Sequence, residues 1–453
     1  MSRRSTHWIE NWDPEHTRAW EQGNARVARR NLALSVFSEH IGFSVWSLWS
    51  VLVLFLSPET GFSLTAGEKF LLIAVPTLVG AVLRLPYSYA VTRFGGRNWT
   101  VFASLVLLVP AGLALYVVQH PGSPLWLMLL AGAAAGTGGG NFASSMTNIT
   151  TFFPQRQQGW ALGLNAGGGN LGVAVVQLVG LLVIATAGDT RPSYVIAVYL
   201  PLIALAGVLA AWRMDNVDAV RGAPGAQREA LSSPDTWWIS LLYIGTFGSF
   251  IGYGFAFGLV LQHQFGASPL EAASFTFLGP LLGSFSRPVG GRLADRYGGA
   301  RVTLCTFLAM AAGTVALLAA SAGGGSFGGF VAAFTALFVL SGIGNGSTYK
   351  MIPAVFALRA EREVTAGHDA TQALARARRL SGAVIAIAGA VGALGGVAIN
   401  LVFRAADGST APAFCSFLGY YGLCMLITWT VYLRRAPRPA DRTATRPRQA
   451  SRV

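Results

Sequence analysis

Twelve apolar runs follow one another along this 453-residue chain, each about 20 residues long, the length a helix needs to cross the hydrocarbon of a bilayer. They fall near 31–56, 68–91, 98–118, 125–152, 160–187, 193–213, 237–261, 270–293, 302–321, 328–356, 381–404 and 413–433. Only 11% of the residues are charged and 53% are hydrophobic, whereas soluble domains carry about 25% charged residues. A water-soluble enzyme is therefore excluded, and so is a disordered scaffold. The chain has 33 Lys+Arg against 19 Asp+Glu, a net charge of +14. Nucleic-acid binding does not fit basic residues separated by membrane-length apolar runs. Positive-inside topology does. Cys305, Cys415 and Cys424 lie in apolar stretches and the six histidines are scattered, so neither a disulfide framework nor a metal site is expected. No cleavable signal peptide is expected in the polar first thirty residues.

The architecture expected is an all-α membrane protein with twelve transmembrane helices in two six-helix halves, 31–213 and 237–433. A polar linker (214–236) joins them, an N-terminal arm (1–30) precedes them and a basic tail (434–453) follows. The arm, the loops after even-numbered spans and the tail hold nearly all Lys and Arg outside the spans. The opposite loops hold only Lys69, Arg191 and Arg404, so both termini are expected in the cytoplasm. Trp8, Trp12 and Trp20 suit an arm lying at the membrane interface, and equally a solvated tail. Residues 357–380 predict an amphipathic cytoplasmic helix linking spans 10 and 11.

The halves repeat. Span 2 carries GAVLRLPYSYAVTRFGGR (80–97) and span 8 carries GSFSRPVGGRLADRYGGAR (283–301). In each, a glycine precedes an arginine by four residues (Gly80/Arg84, Gly283/Arg287), and an aromatic-Gly-Gly turn follows ten residues after that arginine. Spans 4 and 10 share GGGN (138–141) and GIGN (342–345). Parallel six-helix repeats characterise transporters of the major facilitator superfamily. The loop GGRLADRYGGAR is close to that superfamily's loop pattern, with Asp295 expected in a charge relay with Arg292, Arg296 and Arg301. Ala90 stands at the acid's place in the first half, so a gate held mainly by the second half is expected.

Arg84 lies nine residues before Arg93, and Arg287 eight before Asp295, which puts each roughly 12–14 Å below the membrane surface. An intramembrane charge costs about 2.5–3.5 kcal/mol even on lenient scales. Snorkelling over two turns is strained, and carboxylates within spans are few, chiefly Glu39 and Glu271. Two permanently charged, planar guanidiniums at one depth point to a clamp for a small planar oxyanion. Phe142, Asn141, Asn165 and Asn170 flank spans 4 and 5, and Tyr253 and Phe257 stand a turn apart on span 7 as lining. ALGLNAGGGNLG (161–172) and AGAVGALGGVAIN (388–400) are rich enough in small residues for neighbouring helices to approach closely and slide.

These stretches resemble the NarK-type nitrate/nitrite porter family. The resemblance runs through WDPEHTRAW (12–20), LRLPY (83–87), GGGNFASSMTNITTFFPQRQQGWALGLNAGGGNLGVAVVQLV (138–179), YIGTFGSFIGYGFAFGL (243–259), GPLLGSFSRPVGGRLADRYGG (279–299), GNGSTYKMIP (344–353) and AGAVGALGGVAIN (388–400). It implies Arg84 and Arg287 as substrate arginines, Phe142 and Phe257 as the aromatic pair enclosing the anion, and Tyr253 and Asn170 as hydrogen-bonding groups. It also implies signature glycines Gly163, Gly167, Gly168 and Gly169 on span 5, and Gly389, Gly392, Gly395 and Gly396 on span 11. The function implied is alternating-access transport of nitrate and nitrite at the cell membrane, by exchange, in a monomer that needs no cofactor. Proton-coupled nitrate symport is the alternative, with Glu39 and His40 and then Lys350 as proton carriers, and a carrier for another small anion is a further one. A receptor using the same fold would be expected to carry a signalling domain, and the extramembrane stretches are short.

Overall fold

The computed structural model describes residues 7–218, 225–322, 325–406 and 410–434. The basic tail beyond 434 and the middle of the linker lie outside them. The chain is a bundle of helical rods. Span 1 is Ala25–Trp46 and Leu48–Phe55, span 2 Ala66–Phe94, span 3 Gly96–Leu105 and Leu108–Gln119, span 4 Leu125–Ala135 and Thr137–Phe152, span 5 Gln155–Ala187, and span 6 Pro192–Arg213. Span 7 is Pro234–Tyr243, a π-helical stretch Ile244–Gly248, and Ser249–Phe265; span 8 is Pro269–Thr276 and Leu278–Tyr297. Spans 9 to 11 are Gly299–Ser321, Phe327–Thr365 and Ala370–Ala405, and span 12 is Ala411–Ile427 continued by Thr428–Leu433. Among the described residues, ten helices are long and apolar enough to cross a membrane. The two rods outside that set are span 4, broken near Gly136, and span 8, which carries Arg287, Arg292, Asp295 and Arg296. Large apolar side chains such as Val82, Trp126, Trp212, Phe285 and Leu308 point outward, as a multi-pass protein presents to lipid.

The repeat seen in the sequence has a backbone cause. Gly95 and Gly298 end spans 2 and 8 at φ of 88° and 90°, a region where a side chain is strained. Gly80 and Gly283 permit close approach: a Cβ at Gly80 would stand 2.4 Å from Trp46 Nε1, and one at Gly283 would stand 2.8 Å from Phe250.

Three expectations about the basic face are corrected. The arm does not lie on the membrane interface. Trp12 and Trp20 are buried beneath the first half with Phe152 and Phe153, and Trp12 Nε1 donates to the Thr151 carbonyl at 3.1 Å. Trp8–Ile9 pairs in parallel with Asn216–Val217 of the linker. Asp215 accepts from Arg30 at 2.5 Å and from Asn31 at 2.8 Å. Apolar burial under the bundle outcompetes interface partitioning for these rings. Residues 357–380 form no separate helix; they extend spans 10 and 11, which meet at a short turn capped by Asp369. Phe356, Leu380 and Val384 there pack against Ala230 and Ile239, and Arg376 pairs with Glu229 at 2.5 Å and Glu363 at 3.2 Å. Asp295 finds its partner in Lys350 of span 10, at 3.0 Å, rather than in the arginines of its own loop. That pair is exposed, so it contributes little to stability, about 0–1 kcal/mol.

Replacing Trp12 with alanine removes a buried ring and its hydrogen bond, which should weaken arm docking by about 3 kcal/mol. Limited trypsin digestion of the detergent-solubilised protein then cuts at Arg18 and Arg26 earlier than in wild type.

Candidate anion-binding site

Among the described residues, Glu39, Arg84 and Arg287 are the charged side chains that are fully buried, the arginines at 0% and 6% exposure. Arg84 projects from span 2 between aromatic faces, its guanidinium carbon 4.6 Å from the Phe142 ring, 4.9 Å from Phe247 and 5.6 Å from Trp46. Its Nε donates to the Gly139 carbonyl at 3.3 Å and its Nη1 reaches across the halves to the Gly389 carbonyl at 2.6 Å. Arg287 Nη2 donates to the Tyr243 hydroxyl at 3.1 Å, and its guanidinium lies 5.3 Å from the Tyr349 ring. The Tyr243 and Phe247 rings stack 5.1 Å apart at 8°. Thus one chain of contacts joins the two cations: Arg84 over Phe247, Phe247 stacked on Tyr243, and the Tyr243 hydroxyl bonded to Arg287.

Neither arginine has a carboxylate within ion-pair distance among the described residues. Each keeps one buried nitrogen without a hydrogen-bond partner, Arg84 Nη2 and Arg287 Nη1. Aromatic faces and carbonyl oxygens stabilise a guanidinium without neutralising it. The arrangement therefore offers one unpartnered donor from each half, positive charge and flat apolar walls, a set of groups that suits a small planar anion.

Other expected site residues are placed as follows. Phe142 is at Arg84. Asn170 is 1% exposed with both amide atoms unpartnered, on the span 5 face that also carries Gln177, whose Nε2 donates to Gly254 of the other half at 2.6 Å. Asn141 is tied to Ser38 at 3.2 Å. Glu39 does not neutralise an arginine or Lys350. Its Oε2 accepts from Ser145 and, at 2.6 Å, from Asn165, while its Oε1 has no partner. His40 bonds to the Gly168 carbonyl at 3.1 Å.

Tyr253 and Phe257 are brought elsewhere. The Tyr253 hydroxyl bonds to Tyr421 at 2.5 Å, and the Phe257 ring stacks on Phe334 at 4.3 Å, inside the second half. Tyr243 and Phe247 stand against the arginines instead. The motif has Tyr-x-x-x-Phe twice, ten residues apart, and spacing alone cannot choose between them. Depth can: Tyr243 lies nine residues from the basic-face end of span 7 at Pro234, as Arg287 lies ten from the end of span 8 at Tyr297.

The glycine stretches bring helices close both within and between the halves. A Cβ at Gly168 or Gly169 would meet Val36 and Glu39 of span 1, and one at Gly392 or Gly395 would meet Tyr243 and Gly248 of span 7, so these glycines pack helices within each half. Gly389 faces the other half at Arg84, and Gly396 lies between Ile251 of its own half and Thr77 of the other. Toward the face opposite the basic one the halves are packed shut, with Trp46 on Phe255 at 5.4 Å and Phe70 stacked on Phe403 at 5.5 Å. Toward the basic face there is free space beside spans 5 and 11. Gly382 shares a helix face with Gly389, and Gly163 one with Asn170; at Gly382, Gly163 and Gly167 nothing stands within 4 Å of an added Cβ.

Comparison with known proteins agrees with this architecture. The family model described as Major Facilitator Superfamily matches residues 32–399 and 239–452. The chain is 37% identical over 456 residues to the nitrate/nitrite transporter NarU of Salmonella typhimurium, covering 95% of this chain and 97% of that protein. It is 31% identical over 455 residues to the "Probable nitrate/nitrite antiporter NarK2" of Thermus thermophilus, covering 94% and 97%. A crystal structure of a bacterial homolog to the human lysosomal transporter Spinster matches in fold, with a TM-score of 0.61 and 16% identity over 88% of this chain and 95% of that one. With paired six-helix halves, arginine-bearing spans 2 and 8 and a family match along most of its length, the chain belongs to the major facilitator superfamily of membrane transporters.

Proposed function

We propose that this protein is a nitrate/nitrite exchanger of the cell membrane that works by alternating access, with one anion clamped between Arg84 and Arg287. In this reading both termini are cytoplasmic, the halves are 31–213 and 237–433, and the free space beside spans 5 and 11 at the basic face is the cytoplasmic entrance. Each chain works as a monomer, since both arginines of the site come from one polypeptide. Phe142 and Phe247 wall the anion, and Tyr243 fixes Arg287. The near-full-length similarity to a nitrate/nitrite transporter and a nitrate/nitrite antiporter supports the substrate. The observation that carries the reading is the pair of buried guanidinium nitrogens, one from each half, with nothing of the protein to bond.

The mechanism follows from charge. Two like charges in a medium of low dielectric repel, and a monovalent anion between them replaces repulsion with two charge-assisted hydrogen bonds. Closure of the halves is then favourable with the anion bound and unfavourable without it. A carrier that reorients only when loaded exchanges one anion for another. Purified protein in liposomes loaded with nitrite should accumulate external nitrate with or without a protonophore, and should not accumulate it without internal anion. Accumulation driven by an inward proton gradient into anion-free liposomes would instead establish symport. The observation favouring that second reading is Glu39, a buried carboxyl bridging Ser145 and Asn165 within electrostatic reach of both arginines.

A further inference from the structure

The internal repeat places equivalent residues in unequal circumstances. In the first half, Asn141 of GGGN is bonded to Ser38, and Ser145, four residues on, is bonded to Glu39 and accepts from Asn165. Both are consumed in holding spans 1, 4 and 5 together. Their counterparts on span 10 are Asn345 of GIGN and Tyr349. Asn345 is 1% exposed, and neither atom of its amide has a partner. The Tyr349 hydroxyl is likewise buried without a partner, while its ring stands 5.3 Å from the Arg287 guanidinium and 6.0 Å from the Tyr243 ring. Residues four apart share a helix face. Asn345 is level with Arg287, because a Cβ on its neighbour Gly346 would stand 2.1 Å from the Arg287 carbonyl. Buried polar groups are nearly always satisfied in folded proteins, so two orphans on one helix face, one of them on the ring beside Arg287, mark a ligand-binding edge.

We infer that Tyr349, supported by Asn345, is a third polar arm of the anion site, and that it binds the oxygen which distinguishes a three-oxygen anion from a two-oxygen one. This rests on the anion clamp proposed above. The two unpartnered guanidinium nitrogens suffice for the two oxygens of nitrite. Nitrate brings a third oxygen, and once the site is closed that oxygen is unsatisfied unless a further donor meets it. The Tyr349 hydroxyl is an unpartnered donor on the ring beside Arg287, whereas the Tyr243 hydroxyl is fixed as an acceptor to Arg287 and has only its own proton left to offer. Span 10 thereby sets preference between the two anions, whereas spans 2 and 8 set binding of either.

The test is Tyr349→Phe, which keeps the ring over Arg287 and deletes an unpartnered hydroxyl, so folding is not endangered. Counterflow in proteoliposomes is measured with nitrate and with nitrite, and KM is obtained for each. The ratio of nitrate KM to nitrite KM should rise about tenfold, the size of one lost hydrogen bond. Asn345→Ala should move the ratio in the same direction by a smaller factor. An unchanged ratio in Tyr349→Phe, whether both constants rise together or neither moves, overturns the inference while leaving the clamp intact. Failure of the wild-type protein to exchange either anion would instead overturn the clamp and this inference with it.

Discussion

Replacing Arg84 or Arg287 with alanine should reduce nitrate counterflow in proteoliposomes by about 10²-fold or more, with the protein still folded. Removing one partner from a buried charge-assisted contact costs about 3–5 kcal/mol, and here the lost partner is half of the anion's coordination. Folding should survive because an intramembrane arginine is itself costly, about 2.5–3.5 kcal/mol; thermal melts in detergent would check this. Lysine should rescue neither position, remaining at least about tenfold impaired. At Arg84 an ammonium cannot serve Gly139 and Gly389 and also face the ligand with a planar fork. Uptake that persisted in either alanine variant would remove the physical basis of the site.

The next largest effect is expected at Gly392, where no side chain touches the anion. A Cβ there would stand 2.5 Å from the Tyr243 ring. Tyr243 is stacked on Phe247 and accepts from Arg287 at the start of the π-helical stretch Ile244–Gly248, a local irregularity typical of functional positions. Overpacking of this kind costs about 1–3 kcal/mol, and the strain is relieved by moving Tyr243 off Arg287. Gly392→Ala should therefore slow nitrate counterflow about tenfold to a hundredfold. Gly382→Ala, on the same span with open space around it, should behave as wild type. Equal activity in both variants would show that the Tyr243–Arg287 contact is dispensable.

Much of the fold is legible in the sequence because bilayer thickness is a hard ruler. An apolar run near 20 residues reads as a span, and most arginines between runs fall on one face. The same ruler finds Arg84 and Arg287, since each counts back to mid-membrane from a charged end. On span 7 two identical Tyr-x-x-x-Phe spacings compete and the resemblance favours Tyr253 and Phe257; only packing shows that Tyr421 and Phe334 claim them. Composition likewise cannot tell whether an amphipathic tryptophan meets lipid or protein. Trp12 and Trp20 meet protein because Phe152 and Phe153 close span 4 beneath them. The partner of Asp295 was hidden for a related reason. Lys350 is distant in sequence and becomes adjacent only when spans 8 and 10 pack side by side. Glycine density shows that helices approach closely but not which ones; here span 5 meets span 1, and span 11 meets span 7 and, at Gly389 and Gly396, span 2 of the other half.

The measurement that bears most directly on the clamp is equilibrium nitrate binding to the purified protein by calorimetry, for wild type, Arg84→Lys, Arg287→Lys and the double variant. A single anion held by both guanidiniums requires one nitrate per chain in wild type, a large loss in either single variant, and little further loss in the double. Two nitrates per chain, or losses that simply add as they do for independent sites, would contradict it.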